Sequence, residues 1–195
     1  MRVGINGLGR IGRLALRIAA NDHEFEFVKS NDPGGDAALF AHLLQFDSTH
    51  GKYPEDIIAA DAEIQMGRHR IQHQTQRAIA DTDWSGVDLV IEASGKFKAL
   101  DQLQPYFDQG VQRVLLTAPS KDPAALNLVY GVNHHLYDAA QHCLVTAASC
   151  TTNCIAPVVK VIHGEFGIEH GSITTIHDIT NTQSILDAPH KDLRR

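Results

Sequence analysis

The run Ala148-Ser149-Cys150-Thr151-Thr152-Asn153-Cys154 sets a thiol among hydroxyls, and Thr174-Thr175-Ile176-His177 supplies an imidazole a short way downstream. A thiol is only slightly ionised at neutral pH, and it becomes a strong nucleophile where an imidazolium or a helix N-terminus stabilises the thiolate. Both aids are within reach of Cys150. Leu144-Val145-Thr146-Ala147 reads as the end of a buried strand, and from Cys150 to Gly164 apolar residues recur at helical spacing, with Ile155, Val158, Val159 and Ile162 on one side. Cys150 is therefore expected at a strand-to-helix turn, where unpaired backbone N–H groups favour an anion. The alternative for such a cysteine is a buried structural residue; the flanking hydroxyls and His177 argue for a reaction centre. Cys143 stands in an apolar stretch without polar neighbours and is expected to be a small core residue. Cys154 falls one helical turn after Cys150 on the same side, a position suited to tuning or resolving an oxidised Cys150, or to packing.

The elements that must hold such a centre begin at the N-terminus. Arg2-Val3-Gly4-Ile5-Asn6 reads as a short buried strand, Gly7-Leu8-Gly9-Arg10-Ile11-Gly12 is a G-x-G-x-x-G fingerprint, and helical spacing runs from Arg13 to Ala20. In this context Gly7 permits the tight turn, Gly9 lets a pyrophosphate approach the backbone, and Gly12 lets the helix pack closely on the sheet. Phe25-Glu26-Phe27-Val28 reads as a second strand, which ends at Ser30-Asn31-Asp32. Asp32 is placed to accept hydrogen bonds from an adenosine ribose, and its charge repels a 2′-phosphate, which favours NAD over NADP. The other reading of Asp32 is an exposed acid in the turn before Pro33-Gly34-Gly35. Alternating strand-like and helix-like stretches continue from Arg2 to about Ala148, the pattern of an α/β domain with a doubly wound parallel sheet.

Composition bounds the rest. The net charge of −6, with Lys and Arg scattered, argues against a nucleic-acid partner. No stretch approaches the roughly 20 apolar residues of a membrane span, and the first strand begins at Arg2, so neither a membrane segment nor a signal peptide is expected. Three cysteines without framework spacing suit a reducing compartment, and the cytoplasm is the expected location. Among the twelve histidines, His69 and His73 are four apart in a stretch that alternates like an exposed strand, which supplies no third ligand, and no metal is expected. His134-His135 reads as a loop pair.

Val3-Gly4-Ile5-Asn6-Gly7-Leu8-Gly9-Arg10-Ile11-Gly12-Arg13, Asn31-Asp32-Pro33, Phe46-Asp47-Ser48-Thr49-His50-Gly51, Thr117-Ala118-Pro119-Ser120, Tyr130-Gly131-Val132-Asn133-His134 and the Cys150 motif occur here in order. Together they closely resemble the phosphorylating, NAD-dependent glyceraldehyde-3-phosphate dehydrogenases, along the whole chain. The resemblance implies a Rossmann NAD-binding domain over residues 1–149, with the start of an α+β catalytic domain, truncated, over residues 150–195. It implies that Cys150 attacks the aldehyde to form a thiohemiacetal, with His177 as base. Hydride transfer to the nicotinamide then leaves a thioester, which phosphate or a similar oxyanion resolves. It places the attacking anion at Ser149 and Thr151 and the phosphate of the substrate at Thr180 and Thr182. Cofactor contacts fall at Gly7, Gly9, Arg10, Ile11, Gly12, Asp32, Arg77, Ser94, Gly95 and Thr117. A homotetramer is implied, with the segment after His177 lying between subunits.

Within that family, Asn31 to Ala38, His177 to Gln183 and Asp187 to Arg195 resemble the branch found beside arsenate-resistance genes, in which arsenate replaces phosphate and the product is 1-arseno-3-phosphoglycerate. The ending His190-Lys191-Asp192-Leu193-Arg194-Arg195 also resembles erythrose-4-phosphate dehydrogenases, whereas Asp32 and the Thr180/Thr182 pair fit the glyceraldehyde phosphate pattern better. A reading from another class is an NAD-binding fragment without turnover. Residues 150–195 are expected to expose apolar surface that a larger catalytic sheet would cover.

Overall fold

The structure, a computed structural model, describes residues 1–178. Its centre is β1 (Arg2–Asn6), whose side chains alternate between two cores. Val3 and Ile5 pack with Leu16 of α1 (Arg10–Ala19) and with Phe40, Ala41 and Leu44 of α2 (Ala37–Gln45). Gly4, between them, faces the opposite side, where a Cβ would stand 2.8 Å from the Trp84 ring. Trp84 is fully buried there with Val87, Val90 and Val114, beside Leu103 and Tyr106 of α3 (Leu100–Asp108). With helices on both faces, the sheet is doubly wound.

The remaining strands are β2 (Glu26–Asn31), β3 (Phe46–Asp47), β4 (Gly51–Lys52), β5 (Ile57–Ala60), β6 (Glu63–Met66), β7 (His69–Gln74), β8 (Leu89–Glu92), β9 (Arg113–Leu116), β10 (Leu126–Asn127) and β11 (Leu144–Thr146). The main sheet has nine strands in the order β10-β11-β9-β8-β1-β2-β7-β6-β5. Pairing is parallel from β10 to β7 and antiparallel through β6 and β5, so the sheet is mixed at one edge. The strands β3 and β4 form a small separate ribbon. After β11 the chain enters α4 (Cys150–Phe166), at the expected start and two residues past the expected end, where Gly167 at φ 73° terminates it.

Three local readings change. The helix α1 begins at Arg10 rather than Arg13, so the last fingerprint residues lie in its first turn. Strand β2 ends at Asn31, within the expected Ser30-Asn31-Asp32, and its polar residues Lys29, Ser30 and Asn31 are buried because each has a partner. Lys29 Nζ donates to Asp83 at 2.6 Å and holds the Asp83 carboxyl down to about 2. Cys143 is exposed, not core, because it precedes β11 at the surface while Leu144 takes the buried position. His69 and His73 do share one strand face, yet that face is buried. Each imidazole is satisfied: His69 Nδ1 accepts from Phe27 N–H at 3.2 Å and Nε2 donates to the Ala20 carbonyl at 2.9 Å. His73 Nδ1 meets Ser30 Oγ at 3.0 Å and Nε2 donates to the Gly35 carbonyl at 3.0 Å. His134 lies in a one-turn 3₁₀ helix with His135 and Leu136.

Burial lowers the His73 pKa below its ordinary value, with the Gly35 carbonyl opposing the shift. The unfolded chain therefore takes up this proton first as pH falls. The stabilising contribution is complete above the unfolded value of about 6.5 and is lost as pH drops from there toward the lowered folded value. Thermal unfolding midpoints taken between pH 7.5 and 5.5 should fall with acid, and His73→Gln should flatten that slope. Equal slopes in the two proteins would remove His73 as a cause.

Candidate functional site

Because β1, β2, β8, β9 and β11 run parallel, their C-terminal ends lie along one edge, and the residues that follow them meet there. Backbone bonds stitch the edge together: Gly7 N–H donates to the Asn31 carbonyl at 2.8 Å, Ala93 to Asn6 at 2.7 Å, Thr117 to Glu92 at 3.1 Å and Ala147 to Leu116 at 3.1 Å.

At the end of β1, Gly7 has φ 95°, and a Cβ there would stand 2.5 Å from Ser94 N. A Cβ on Gly12 would stand 1.9 Å from the Gly7 carbonyl oxygen, so α1 packs against the turn only with glycine in its first turn. A Cβ on Gly9 would meet nothing within 4 Å; its open side faces a cleft. As the N-cap of α1, Gly9 brings no side-chain acceptor, and the first turn holds no acidic residue. Among the described residues the N–H groups of that turn have no side-chain acceptor, which suits an external anion such as a pyrophosphate. Asp32 closes the other side, its Oδ2 accepting from Leu8 N–H at 2.7 Å and Oδ1 from Gly34 N–H at 2.8 Å.

The cleft measures about 150 Å³, and Gly7, Gly9, Asp32, Arg77 and Ser94 all line it. Arg77 is exposed, as is Lys96, which also lines the cleft, and among the described residues neither side chain has an ion-pair partner. Two unpaired cations beside a helix N-terminus suit an anionic ligand. Of the other expected contacts, Arg10 and Ile11 are exposed on the first turn of α1, Gly12 supports the turn from below, Gly95 follows Ser94, and Thr117 caps β9. The structure thus gathers five of the ten around the cleft and sets the rest on its supports.

Beneath the cleft runs a polar chain that the sequence reading missed. Asn31 and Gln76 exchange two bonds, Gln76 N–H to Asn31 Oδ1 at 2.8 Å and Asn31 Nδ2 to the Gln76 carbonyl at 3.0 Å. Asn31 Nδ2 also donates to Asn6 Oδ1 at 2.8 Å, and Asn6 Nδ2 donates to Glu92 Oε2 at 2.8 Å and to the Tyr106 hydroxyl at 2.7 Å. Tyr106 in turn donates to Glu92 Oε2 at 2.6 Å, while Ser94 N–H at 2.8 Å and the Ser94 hydroxyl donate to Glu92 Oε1. Glu92 is 2% exposed and, among the described residues, has no ion pair. A buried carboxyl without a counter-cation is costly, and these donors offset the cost. Burial and the neighbouring Glu92 push the Tyr106 hydroxyl well above its ordinary pKa, which keeps it a donor.

At the end of β11 the chain turns through Ala148 at φ 55°, a left-handed conformation that costs a residue with a Cβ roughly 1–2 kcal/mol. Asn153 holds this turn, its Nδ2 donating to the carbonyls of Ala147 at 2.7 Å and Ser149 at 2.9 Å on either side of Ala148. Ser149 is the N-cap of α4: its Oγ accepts from Thr152 N–H at 3.0 Å and lies 2.8 Å from the Thr152 hydroxyl. Cys150 opens the helix, exposed, with Sγ 3.7 Å from His177 Nε2; Thr151 Oγ1 lies 3.5 Å from the same nitrogen. His177 Nδ1 is 2.9 Å from the Asp178 carbonyl and donates to it, which turns Nε2 toward the thiol.

The His177 hydrogen bond, with the Thr151 hydroxyl next, lowers the Cys150 pKa. The Asp178 carbonyl, then Cys150, raises that of His177. Opposed shifts across one hydrogen bond favour the thiolate–imidazolium pair, the state in which sulfur attacks an electrophilic carbon and the imidazole manages the proton. A cavity of about 680 Å³ opens beside the pair, with Cys154, Ile155 and Val158 of α4 along it. Toward its C-terminal end α4 remains apolar and open, Val161 being 64% and Phe166 84% exposed. Thr180 and Thr182 lie outside the described residues. Among the described residues no group of three or more His, Cys, Asp or Glu could hold a metal ion, and no helix is long and apolar enough to cross a membrane.

Comparison with known proteins adds an independent line. Residues 1–100 match the family model described as glyceraldehyde 3-phosphate dehydrogenase, NAD binding domain, and residues 149–195 match that of the glyceraldehyde 3-phosphate dehydrogenase C-terminal domain. The protein named glyceraldehyde-3-phosphate dehydrogenase 3 from Nostoc sp. is 54% identical over 197 residues, covering 100% of this chain and 58% of its own length. Glyceraldehyde-3-phosphate dehydrogenase 1 from Bacillus cereus is 44% identical over 196 residues, and glyceraldehyde-3-phosphate dehydrogenase 2 from Bacillus subtilis 41% over 197. Those alignments also cover 100% of this chain, and 58% and 57% of the relatives.

Proposed function

We propose, for a chain that belongs to the glyceraldehyde 3-phosphate dehydrogenase family, that it binds NAD over the fingerprint cleft and oxidises glyceraldehyde 3-phosphate through a thioester on Cys150. The observation that carries this reading is the Cys150–His177 contact of 3.7 Å at the helix end, on the same sheet edge as the cleft.

The residues divide the work as follows. The Cys150 thiolate adds to the aldehyde carbon, forming a C–S bond, and the developing alkoxide is protonated by His177. His177 then takes that hydroxyl proton back as the carbonyl reforms, leaving an acyl group on sulfur. Bound NAD supplies the acceptor for the hydride this oxidation releases. The α1 turn at Gly9 and the cations Arg77 and Lys96 hold its diphosphate, and Asp32 takes the adenosine ribose. Thr151 is hydrogen-bonding company for the incoming oxyanion, phosphate or arsenate, whose attack breaks the C–S bond and frees Cys150. Ser149 shapes that turn as the helix cap, and Thr180 and Thr182 hold the phosphate of the substrate. Residues 1–149 form the nucleotide-binding domain and residues 150–195 the start of the catalytic one, in a cytoplasmic homotetramer.

The test is NADH formation at 340 nm with glyceraldehyde 3-phosphate and NAD, run with phosphate, with arsenate and with neither. Sustained NADH that depends on either anion supports the reading, and the faster anion names the acceptor. Erythrose 4-phosphate as the better substrate would move the chain to the alternative branch. Bound NAD without NADH would leave a cofactor-binding fragment.

Asp32 supplies a second check. Its carboxylate both repels a 2′-phosphate and holds the Leu8 and Gly34 N–H groups, so Asp32→Ala should weaken NAD by about tenfold or more and bring the NAD/NADP affinity ratio toward unity. An unchanged ratio would take Asp32 out of the ribose site.

A further inference from the structure

We infer that Glu92, which does not line the cleft, is the positioning residue of the NAD site, holding the Ser94 turn and, through Asn6 and Asn31, the Gln76–Arg77 loop against the glycine turn. The inference rests on the NAD reading above. From Asn31 the donors lead to Glu92: Asn31 Nδ2 donates to Asn6 Oδ1, Asn6 Nδ2 to Glu92 Oε2 and to the Tyr106 hydroxyl, which itself donates to Glu92 Oε2, and Ser94 N–H and hydroxyl to Glu92 Oε1. At the other end, Asn31 holds both backbone groups of Gln76, next to Arg77.

Four members of this chain, Asn6, Asn31, Gln76 and Ser94, line the cleft, and they come from the ends of β1 and β2, from the loop after β7 and from the turn after β8. Glu92 is thus the common acceptor for walls that strand pairing alone does not fix, since Gln76 and Ser94 both lie beyond the paired residues. The direction of the bonds matters. A carboxylate accepts from Asn6, Tyr106 and Ser94 at once, whereas a carboxamide of the same shape turns an NH₂ group toward at least one of those donors. The expected loss is of cleft geometry rather than of a cofactor contact, because Glu92 is buried beneath the site.

The test is calorimetric titration of the full chain with NAD, well below the unfolding midpoint, for the parent, Glu92→Gln and Tyr106→Phe. Ile64→Val, a core truncation on β6 away from the cleft, serves as a stability control. Parent binding establishes the NAD site by itself, and a parent that binds no NAD overturns that reading and this inference together. Given parent binding, Glu92→Gln should raise the NAD Kd about tenfold, and Tyr106→Phe, which removes a donor that does not line the cleft, about threefold. Ile64→Val should lower the midpoint and leave the Kd within twofold. A Glu92→Gln chain that folds and binds NAD within twofold of the parent overturns the inference. If that variant does not fold, an unchanged Kd in Tyr106→Phe overturns it.

Discussion

Cys150→Ser is expected to lower NADH formation by at least about 10³-fold while NAD binding stays within twofold of the parent. The serine hydroxyl is nearly isosteric but far less acidic, so the His177 contact that lowers the thiol pKa does not produce a standing alkoxide. Cys150 is exposed at the first position of α4 and does not line the fingerprint cleft, so its loss leaves that cleft untouched. Steady-state rates and NAD titration on the same sample separate the two effects. A variant that unfolds would return Cys150 to a structural role. One that keeps a tenth or more of the activity would place the nucleophile elsewhere.

The second large effect falls on His177. His177→Asn keeps a polar side chain but removes the base, so NADH formation should fall by about 10²-fold or more. The same change removes the largest cause of the lowered Cys150 pKa, leaving the Thr151 hydroxyl and N–H as the main remaining causes. In the parent, alkylation by iodoacetamide, which follows the thiolate, should rise with pH at values below the ordinary thiol range. In His177→Asn that rise should move to higher pH, toward an unassisted thiol. Identical alkylation profiles would mean that the 3.7 Å contact does not tune the sulfur.

The parts of this chain that were legible in its sequence are those whose causes are local. Gly7, Gly9 and Gly12 announce a turn because the backbone requirement and the residue type sit at the same position, and Asp32 follows a strand at the spacing the cleft needs. Cys150 at a helix start was legible from the change of period around Ala148, strand-like before and helical after. The polar network was not, because its members pair across the fold: Asn6 meets Glu92 86 residues away and Tyr106 100 residues away. The partners of Lys29, Ser30 and Asn31 on β2 were hidden for the same reason. Their burial makes sense only once Asp83, His73 and Asn6 are brought alongside. His69 and His73 had the correct shared face, but whether that face is wet depends on what the fold brings to it, Phe40 of α2 against His73 and the Ala20 carbonyl after α1 at His69. Cys143 was misplaced because an apolar stretch does not say where its strand begins.

The proposed chemistry turns on one covalent bond, the thioester on Cys150. Intact-mass analysis of the chain mixed with NAD and glyceraldehyde 3-phosphate, quenched before any phosphate or arsenate is added, reads that bond directly. An acyl adduct that maps to Cys150, forms in step with an equal amount of NADH, and disappears when the oxyanion is supplied is the expected result. NAD binding with no adduct on Cys150, or an adduct on another residue, would contradict it.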